Sequence, residues 1–347
     1  MSSTLDDYYP SHLDPSTGLL NKPDGYGDYA FVKRSGPVTY FNALYAYALR
    51  AAAVLAKYRG YDDAERWRAK AGNISDALNE HNFDDEVGAF FDGTCGDEYC
   101  DTHAQDGNSL AILSGATDPS RSESILNYWA KSARRERGNA FYDNNLLADD
   151  NGERVYAFIS YFEIAARFEA GLVASALEEM RRLWGYMAAR DPGVTFWEGA
   201  GEAYEADAFK SRSHGWSTGV VPLLTRYVLG VTPEGPGFEK WSVKPRVGDI
   251  TWARGTVPVP GGKGISVRWE KGKGGFVMEV DVPEGLGKGT IAVPIGDGGS
   301  VTVDGEVVWS GKGRVVKRAA AATGDGYVEF VAGAGRVNVE VGGVKEL

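Results

Sequence analysis

Gly230-Val231-Thr232-Pro233-Glu234-Gly235-Pro236-Gly237-Phe238 divides this sequence into two textures. Its prolines and glycines cannot continue a helix, and the patterning changes across it. Upstream, apolar residues recur at i, i+3 and i+4. Phe41, Leu44, Tyr45, Ala48, Leu49, Ala52 and Leu55 mark one helix face. Ala64, Trp67, Ala71, Ile74 and Leu78 mark a second, with Asp62 as its expected N-cap. Val155, Phe158, Ile159, Phe162 and Ala166 form a third. Leu172, Val173, Ala176, Leu177, Met180, Leu183, Trp184 and Met187 form a fourth, which stops before Pro192. Further helices are expected near 103–114, 119–134 and 216–229.

Downstream the period falls to two. Ile265, Val267 and Trp269 alternate with polar residues, as do Phe276, Met278 and Val280, then Val301 and Val303, then Val337, Val339 and Val341. Pro260-Gly261-Gly262, Gly274-Gly275 and Asp304-Gly305 supply turns between them. The sequence therefore predicts a helical domain over 1–235 and an antiparallel β-sandwich over 236–347. Loops at 21–37, 80–101, 135–152 and 191–213 are rich in Gly, Asp, Asn and aromatics. Long loops alternating with helix pairs suit a helical toroid whose loops build a cleft at one rim.

Composition narrows the function. The 347 residues are 43% apolar and 24% charged, with a net charge of -11. Nucleic acids and anionic membranes call for clustered Lys and Arg, so neither is an expected partner. Aromatics make up 12%, including nine Trp, which suits a chain that grips a neutral carbohydrate. No apolar run is long enough to span a bilayer. Met1-Ser2-Ser3-Thr4-Leu5-Asp6-Asp7 has neither the basic nor the apolar region of a signal peptide. Cys95 and Cys100 are too few for a four-ligand zinc site, even with His103 nearby. They read either as a local disulfide, if the protein is secreted, or as two reduced thiols. No metal or cofactor is expected.

Candidate chemistry concentrates in Val194-Thr195-Phe196-Trp197-Glu198-Gly199 and Ser213-His214-Gly215-Trp216-Ser217. A carboxylate beside an indole is one way to hold a sugar. The ring face of Trp197 covers the C–H surface, and Glu198 activates a water or stabilises an oxocarbenium-like transition state. Trp216 offers another aromatic face, and His214 a donor for hydroxyls. The same residues also read as a buried Trp beside a solvated Glu. Glu202 and Glu205 read as a solvated loop. Asp28, beside Tyr29 in a Gly-rich loop, suits either a bidentate acceptor for two sugar hydroxyls or an ordinary turn.

Together, Leu183-Trp184-Gly185-Tyr186-Met187, Thr195-Phe196-Trp197-Glu198 and Ser213-His214-Gly215-Trp216 resemble the C-terminal half of the catalytic domain of bacterial and fungal α-L-rhamnosidases. Thr102-His103-Ala104-Gln105 resembles that family's Gln-bearing helix start. Gly230 to Phe238, with Lys244-Pro245, resembles its junction into a C-terminal β-sandwich. The resemblance covers roughly residues 15–310. It implies an (α/α)6 six-hairpin toroid and release of terminal α-L-rhamnose from glycosides by inversion. It also implies Glu198 as general base and His214 as a sugar contact. Asp28-Tyr29 stands where the family has Asp-Trp.

Two departures qualify it. The periodic segments supply fewer helices than six hairpins need. Residues 1–27 offer only Asp6, Asp7, Asp14 and Asp24 where the family's general acid would lie. The chain is therefore expected to be the C-terminal portion of such an enzyme, with an incomplete toroid, exposed apolar helix faces and poor activity alone. It would be secreted if an upstream segment is missing, and cytoplasmic otherwise. A non-catalytic carbohydrate-binding remnant and another (α/α)6 glycosidase are the alternative readings.

Overall fold

The structure, a computed structural model, describes residues 3–22, 32–147, 153–190, 195–201, 211–295, 299–310, 314–315 and 320–342. It mixes helix and sheet and divides into two compact units, Met1–Val220 and Val221–Leu347. The division lies upstream of the proline-glycine junction. The helical turns Leu224–Leu229 bury Tyr227, Val228 and Leu229, and the Val228 carbonyl accepts the Trp269 indole N–H at 3.0 Å. These turns thus belong with the strands that follow them.

The first unit opens with two short helical turns and then helices α1 (Thr39–Arg59) and α2 (Asp63–His81). Gly60 ends α1 at φ 71°, a left-handed conformation that frees the chain to reverse. The buried face of α1 is Ala43, Tyr45, Ala46, Leu49, Ala52, Ala53 and Ala56. This face is rotated from the expected one. Leu44 and Leu55 are 39% and 48% exposed, in a row with Tyr47, Val54 and Tyr58. Alanines let α2 approach closely, so the larger residues lie outward. On α2, Ala64, Trp67, Ala71, Ile74 and Leu78 are buried as their period predicts. Asp62 precedes α2 without capping it. A side-chain cap does occur at Asp118, which accepts from the Arg121 amide at 2.8 Å.

Short antiparallel ribbons connect the helices. β1 (Phe83–Asp84) pairs with β2 (Ala89–Phe90), and β3 (Thr94–Cys95) with β4 (Glu98–Tyr99). Cys95 and Cys100 form a disulfide. Helices α3 (Gln105–Leu113) and α4 (Pro119–Ser132) follow, then the ribbon β5 (Arg134–Arg135) with β6 (Gly138–Asn139). β7 (Val155–Tyr156) leads into α5 (Ala157–Glu169). α6 (Val173–Met180) continues through a wider π-helical stretch, Arg181–Gly185, into a last turn, Tyr186–Arg190. β8 (Gly199–Ala200) pairs back to β7.

In the second unit, β9 (Val231–Pro233) and β10 (Trp241–Val243) join a five-stranded sheet with β14 (Gly289–Pro294), β18 (Ala321–Ala322) and β19 (Tyr327–Ala332). β11 (Trp252–Pro258), β12 (Gly264–Gly272), β13 (Gly275–Val282), β15 (Ser300–Val303), β16 (Glu306–Ser310), β17 (Arg314–Val315) and β20 (Gly335–Gly342) form a seven-stranded sheet. The residues expected to alternate inward on β12, β13, β15 and β20 are buried. One pair departs from the expected antiparallel arrangement, since β10 and β14 are parallel. The chain leaves after β10 to make β11–β13 and returns to run beside β10 in the same direction. Consecutive residues Ile291, Ala292 and Val293 of β14 are all buried, so both faces of that strand are covered. Gly230 turns the chain at φ 90°, where a Cβ would lie 2.4 Å from the Pro245 nitrogen. The junction needs glycine for both reasons.

Candidate carbohydrate site

The segment around Glu198 is the middle of three adjoining extended segments. On one side, β8 pairs with β7, and the Ala157 amide donates to the Glu198 carbonyl at 3.3 Å. On the other, the Glu198 amide donates to the Ser211 carbonyl at 3.0 Å, and the His214 amide to the Phe196 carbonyl at 2.8 Å. These last two bonds are out of register: two steps on one segment match three on the other. The extra residue is a bulge, which re-aims the side chains that follow it.

The result brings His214 to Glu198, with Nδ1 3.7 Å from Oε2. That is too long for a direct hydrogen bond and suits a hydroxyl or water held between them. Both side chains keep about a quarter of their surface, 29% for His214 and 26% for Glu198. The Ser211 amide lies 3.5 Å from Glu198 Oε2. The His214 ring tilts on the Trp216 indole at 4.5 Å. Trp216 stacks on Phe158 of α5 at 5.1 Å. The turn carrying Trp216 is fixed from α6, where the Trp184 indole donates to the Ser217 carbonyl at 2.8 Å.

Trp197 differs from the expectation of an open sugar platform. It is only 5% exposed. Tyr186 meets it edge-on at 5.9 Å, and the Arg212 guanidinium lies 4.9 Å from its ring centre. Its packing anchors the backbone that presents Glu198, and Trp216 is the half-buried indole beside the acid. Asp28, Tyr29, Glu202 and Glu205 lie outside the described residues. Phe158, Arg212 and Ser211 take part in the arrangement without having been singled out as site residues in the sequence, and Tyr186 was marked only as part of the stretch Leu183-Trp184-Gly185-Tyr186-Met187. Phe158 carried a signal only as one residue of a helix stripe.

Buried polar clusters support this unit. His103 sits between two carboxylates, with Nδ1 2.7 Å from Asp143 Oδ2 and Nε2 3.2 Å from Asp84 Oδ2. Burial works against the Asp143 carboxylate, but hydrogen bonds from His103 and Tyr128 outweigh it and hold its pKa below the ordinary value. Arg34 Nη1 lies 2.9 Å from Asp106 Oδ2, and its Nε 3.4 Å from Asp92 Oδ2, all with buried side chains. Burial, and then the charge of Asp92, push the nearby Tyr142 hydroxyl well up. A third cluster centres on Glu163 of α5. Gln105 donates to its Oε2 at 2.5 Å, while Asn139 and Arg167 Nε donate to its Oε1 at 2.7 and 2.8 Å. Among the described residues, no group of three or more His, Cys, Asp or Glu side chains is placed to hold a metal ion. None of the helices there is long and apolar enough to cross a membrane.

Residues 230–307 match the bacterial alpha-L-rhamnosidase C-terminal domain. The GH78 family rhamnosidase of Bacillus sp. GL1 superposes with a TM-score of 0.68 at 27% identity, over 83% of this chain and 29% of that one. The chain resembles the C-terminal portion of the α-L-rhamnosidase family. The alpha-L-rhamnosidase of Dictyoglumus thermophilum has the same fold, with a TM-score of 0.65 at 17% identity over 87% of this chain and 32% of its own. So does the Streptomyces avermitilis alpha-L-rhamnosidase solved with L-rhamnose, with a TM-score of 0.64 at 20% identity over 96% and 29%. This chain thus spans about a third of the length of these rhamnosidases. Among curated proteins no sequence matches it.

Proposed function

We propose that this chain is the C-terminal part of an inverting α-L-rhamnosidase in which Glu198 is the general base. In this reading the helices of the first unit are hairpins of an incomplete (α/α)6 toroid over 1–235, and residues 236–347 are its β-sandwich. The exposed row on α1 is the seam where a further hairpin packs. The observation that carries the reading is the pairing of Glu198 with His214 beside Trp216. An accessible carboxylate, an imidazole 3.7 Å away and a half-buried indole suit one sugar ring and the water that attacks it. The rhamnose in the Streptomyces avermitilis structure motivates the choice of sugar.

The roles divide by position. Glu198 takes a proton from a water on one face of the ring. His214 donates to a ring hydroxyl, Trp216 carries the His214 ring and borders the sugar with its exposed edge, and Trp197 fixes the backbone behind Glu198. Asp28 and Tyr29 are proposed as further sugar contacts. Inversion also requires a protonated carboxyl on the opposite face, and we assign that acid to the rest of the enzyme.

A leaving group that needs no acid isolates the base. The chain should hydrolyse dinitrophenyl α-L-rhamnoside measurably and methyl α-L-rhamnoside far more slowly. The first sugar seen by NMR should be the β anomer. Glu198→Gln keeps the shape and removes the base, lowering turnover by about 10²–10⁴-fold. Unchanged turnover in that variant, or the α anomer appearing first, refutes the reading. Rhamnose binding without any hydrolysis favours a sugar-binding remnant instead.

A further inference from the structure

The outward face of the seven-stranded sheet carries a second group of residues that the Glu198 site does not use. Side chains alternate across a strand, so burying Ile265, Val267, Trp269, Phe276 and Met278 turns their neighbours outward. Arg268 and Glu270 of β12 and Val277 of β13 are exposed. On edge strand β11, Trp252 and Arg254 are exposed. Register places Trp252 opposite Glu270 and Arg254 opposite Arg268. With Lys271, these residues line a shallow depression of about 760 Å³.

Two features there are costly without a ligand. Trp252 leaves 59% of its surface in water, and the half-exposed Val277 lies in the same row on the far side of Glu270. Arg254 and Arg268 are like charges directly opposite, an unfavourable cross-strand pair. Glu270 lies 2.5 Å from Arg268 Nη2, while Arg254 makes no ion pair among the described residues. Arg254 and Arg268 against Glu270 leave the outward-facing part of this depression at +1, in a chain of net charge -11, while the Lys271 ammonium donates to the Gly248 carbonyl at 2.6 Å. Glu279 faces Arg268 from β13, and Glu340 faces Val277 from β20. The positive zone is therefore narrow, sized for single carboxylates and not for a nucleic acid.

We propose that this face binds an acidic saccharide, a chain containing uronic acid residues. One pyranose ring lies on the Trp252 indole, and its carboxylate lies between Arg254 and Arg268. Trp252 and Arg254 are two residues apart on one strand, about 7 Å. That is a span a stacked sugar ring and its exocyclic carboxylate bridge. Guanidinium groups suit carboxylates because they donate two parallel hydrogen bonds. All of these residues lie in the unit Val221–Leu347. The proposal is thus independent of hydrolysis at Glu198, and its binding readout involves no turnover.

The test is titration calorimetry on the full chain with tri-galacturonic acid and with its methyl ester, at low salt. The acid should bind, and the ester should bind at least about tenfold more weakly, as expected for loss of a charge-assisted contact. Trp252→Ala should weaken the acid about tenfold. Arg254→Gln should weaken the acid by a similar factor and leave the ester unchanged. Both positions are exposed, and circular dichroism verifies that the variants fold. Failure of the folded wild type to bind the acid, equal binding of acid and ester, or undiminished binding by Trp252→Ala overturns the proposal.

Discussion

Replacing Glu179 by Gln should flatten the pH dependence of the helical unit's stability. Glu179 of α6 is 2% exposed. Its Oε1 accepts the Asn139 amide at 2.7 Å, and its Oε2 pairs with Arg182. Burial, and then the negative charge of Glu163, push its pKa up from 4.5 to about 7, against the opposing pull of Arg182 and Arg167. A carboxyl raised in the folded state is held protonated by folding. Its contribution is fully present below 4.5 and is lost as pH rises through about 7. At 1.36 kcal/mol per pKa unit, the loss is about 3 kcal/mol. Gln keeps the acceptor for the Asn139 amide and does not titrate. Urea unfolding followed by helical circular dichroism at about pH 4 and about pH 8 measures both proteins on either side of the window from 4.5 to about 7. Wild type should lose up to about 3 kcal/mol more than Glu179→Gln between the two. Equal losses in the two proteins, or a variant that fares worse only at the higher pH, refute the reasoning.

Arg34→Met removes the cation between Asp92 and Asp106, both buried. It should cost about 3–5 kcal/mol by urea unfolding, and a loss under 1 kcal/mol would show that the cluster is not a charge network. Gly230→Ala must fit a Cβ 2.4 Å from the Pro245 nitrogen at φ 90°. It should lower the melting temperature of the sheet unit by at least the equivalent of about 1–3 kcal/mol, and an unchanged melting curve contradicts this. Val54→Lys with Leu55→Glu breaks the exposed row on α1 (57% and 48% exposed). The pair should raise the chain's solubility without loss of helix, whereas helix loss would mean the row is covered.

Some of this was legible in sequence because a single period carried it. Trp67, Ala71, Ile74 and Leu78 mark the buried face of α2 at helical spacing, and Val337, Val339 and Val341 mark that of β20 at a spacing of two. The rotation of α1 was not legible. Alanine weighs little as an apolar residue, yet Ala43, Ala46, Ala53 and Ala56 face the core because small side chains permit close helix approach. Ribbons such as β3 and β4 are too short to show any period. The parallel pairing of β10 with β14 is a property of chain path, which local patterning does not encode. At the site, Glu198, His214 and Trp216 stood out because they lie close in sequence. Phe158 and Tyr186 arrive from other helical segments, and neither their helix stripe nor the motif around Tyr186 marks them as partners of Glu198; Arg212, two residues before His214, carries no signal of its own.

The Glu163 cluster and the candidate site share α5. A helix held only by an apolar stripe can slide or rotate by small amounts at little cost, whereas Glu163 cannot. Its carboxylate is buried to 1% exposure and receives Gln105 of α3, Asn139 of β6 and Arg167 from its own helix. Turning α5 by one residue would swing that carboxylate through roughly 100° and leave a buried charge without its donors, a cost of several kcal/mol. Phe158 lies five residues earlier on the same helix, and Trp216 stacks on it. Trp216 in turn carries the His214 ring at 4.5 Å. The rotation that Glu163 fixes is therefore the rotation that places the aromatic floor under His214 and Glu198. Gln105 and Glu163 act on the site through α5 and, among the described residues, make no hydrogen bond or ion pair with Phe158, Trp216, His214 or Glu198, so truncating either should loosen ligand binding through Phe158 and Trp216 while leaving the Glu198 carboxylate in place.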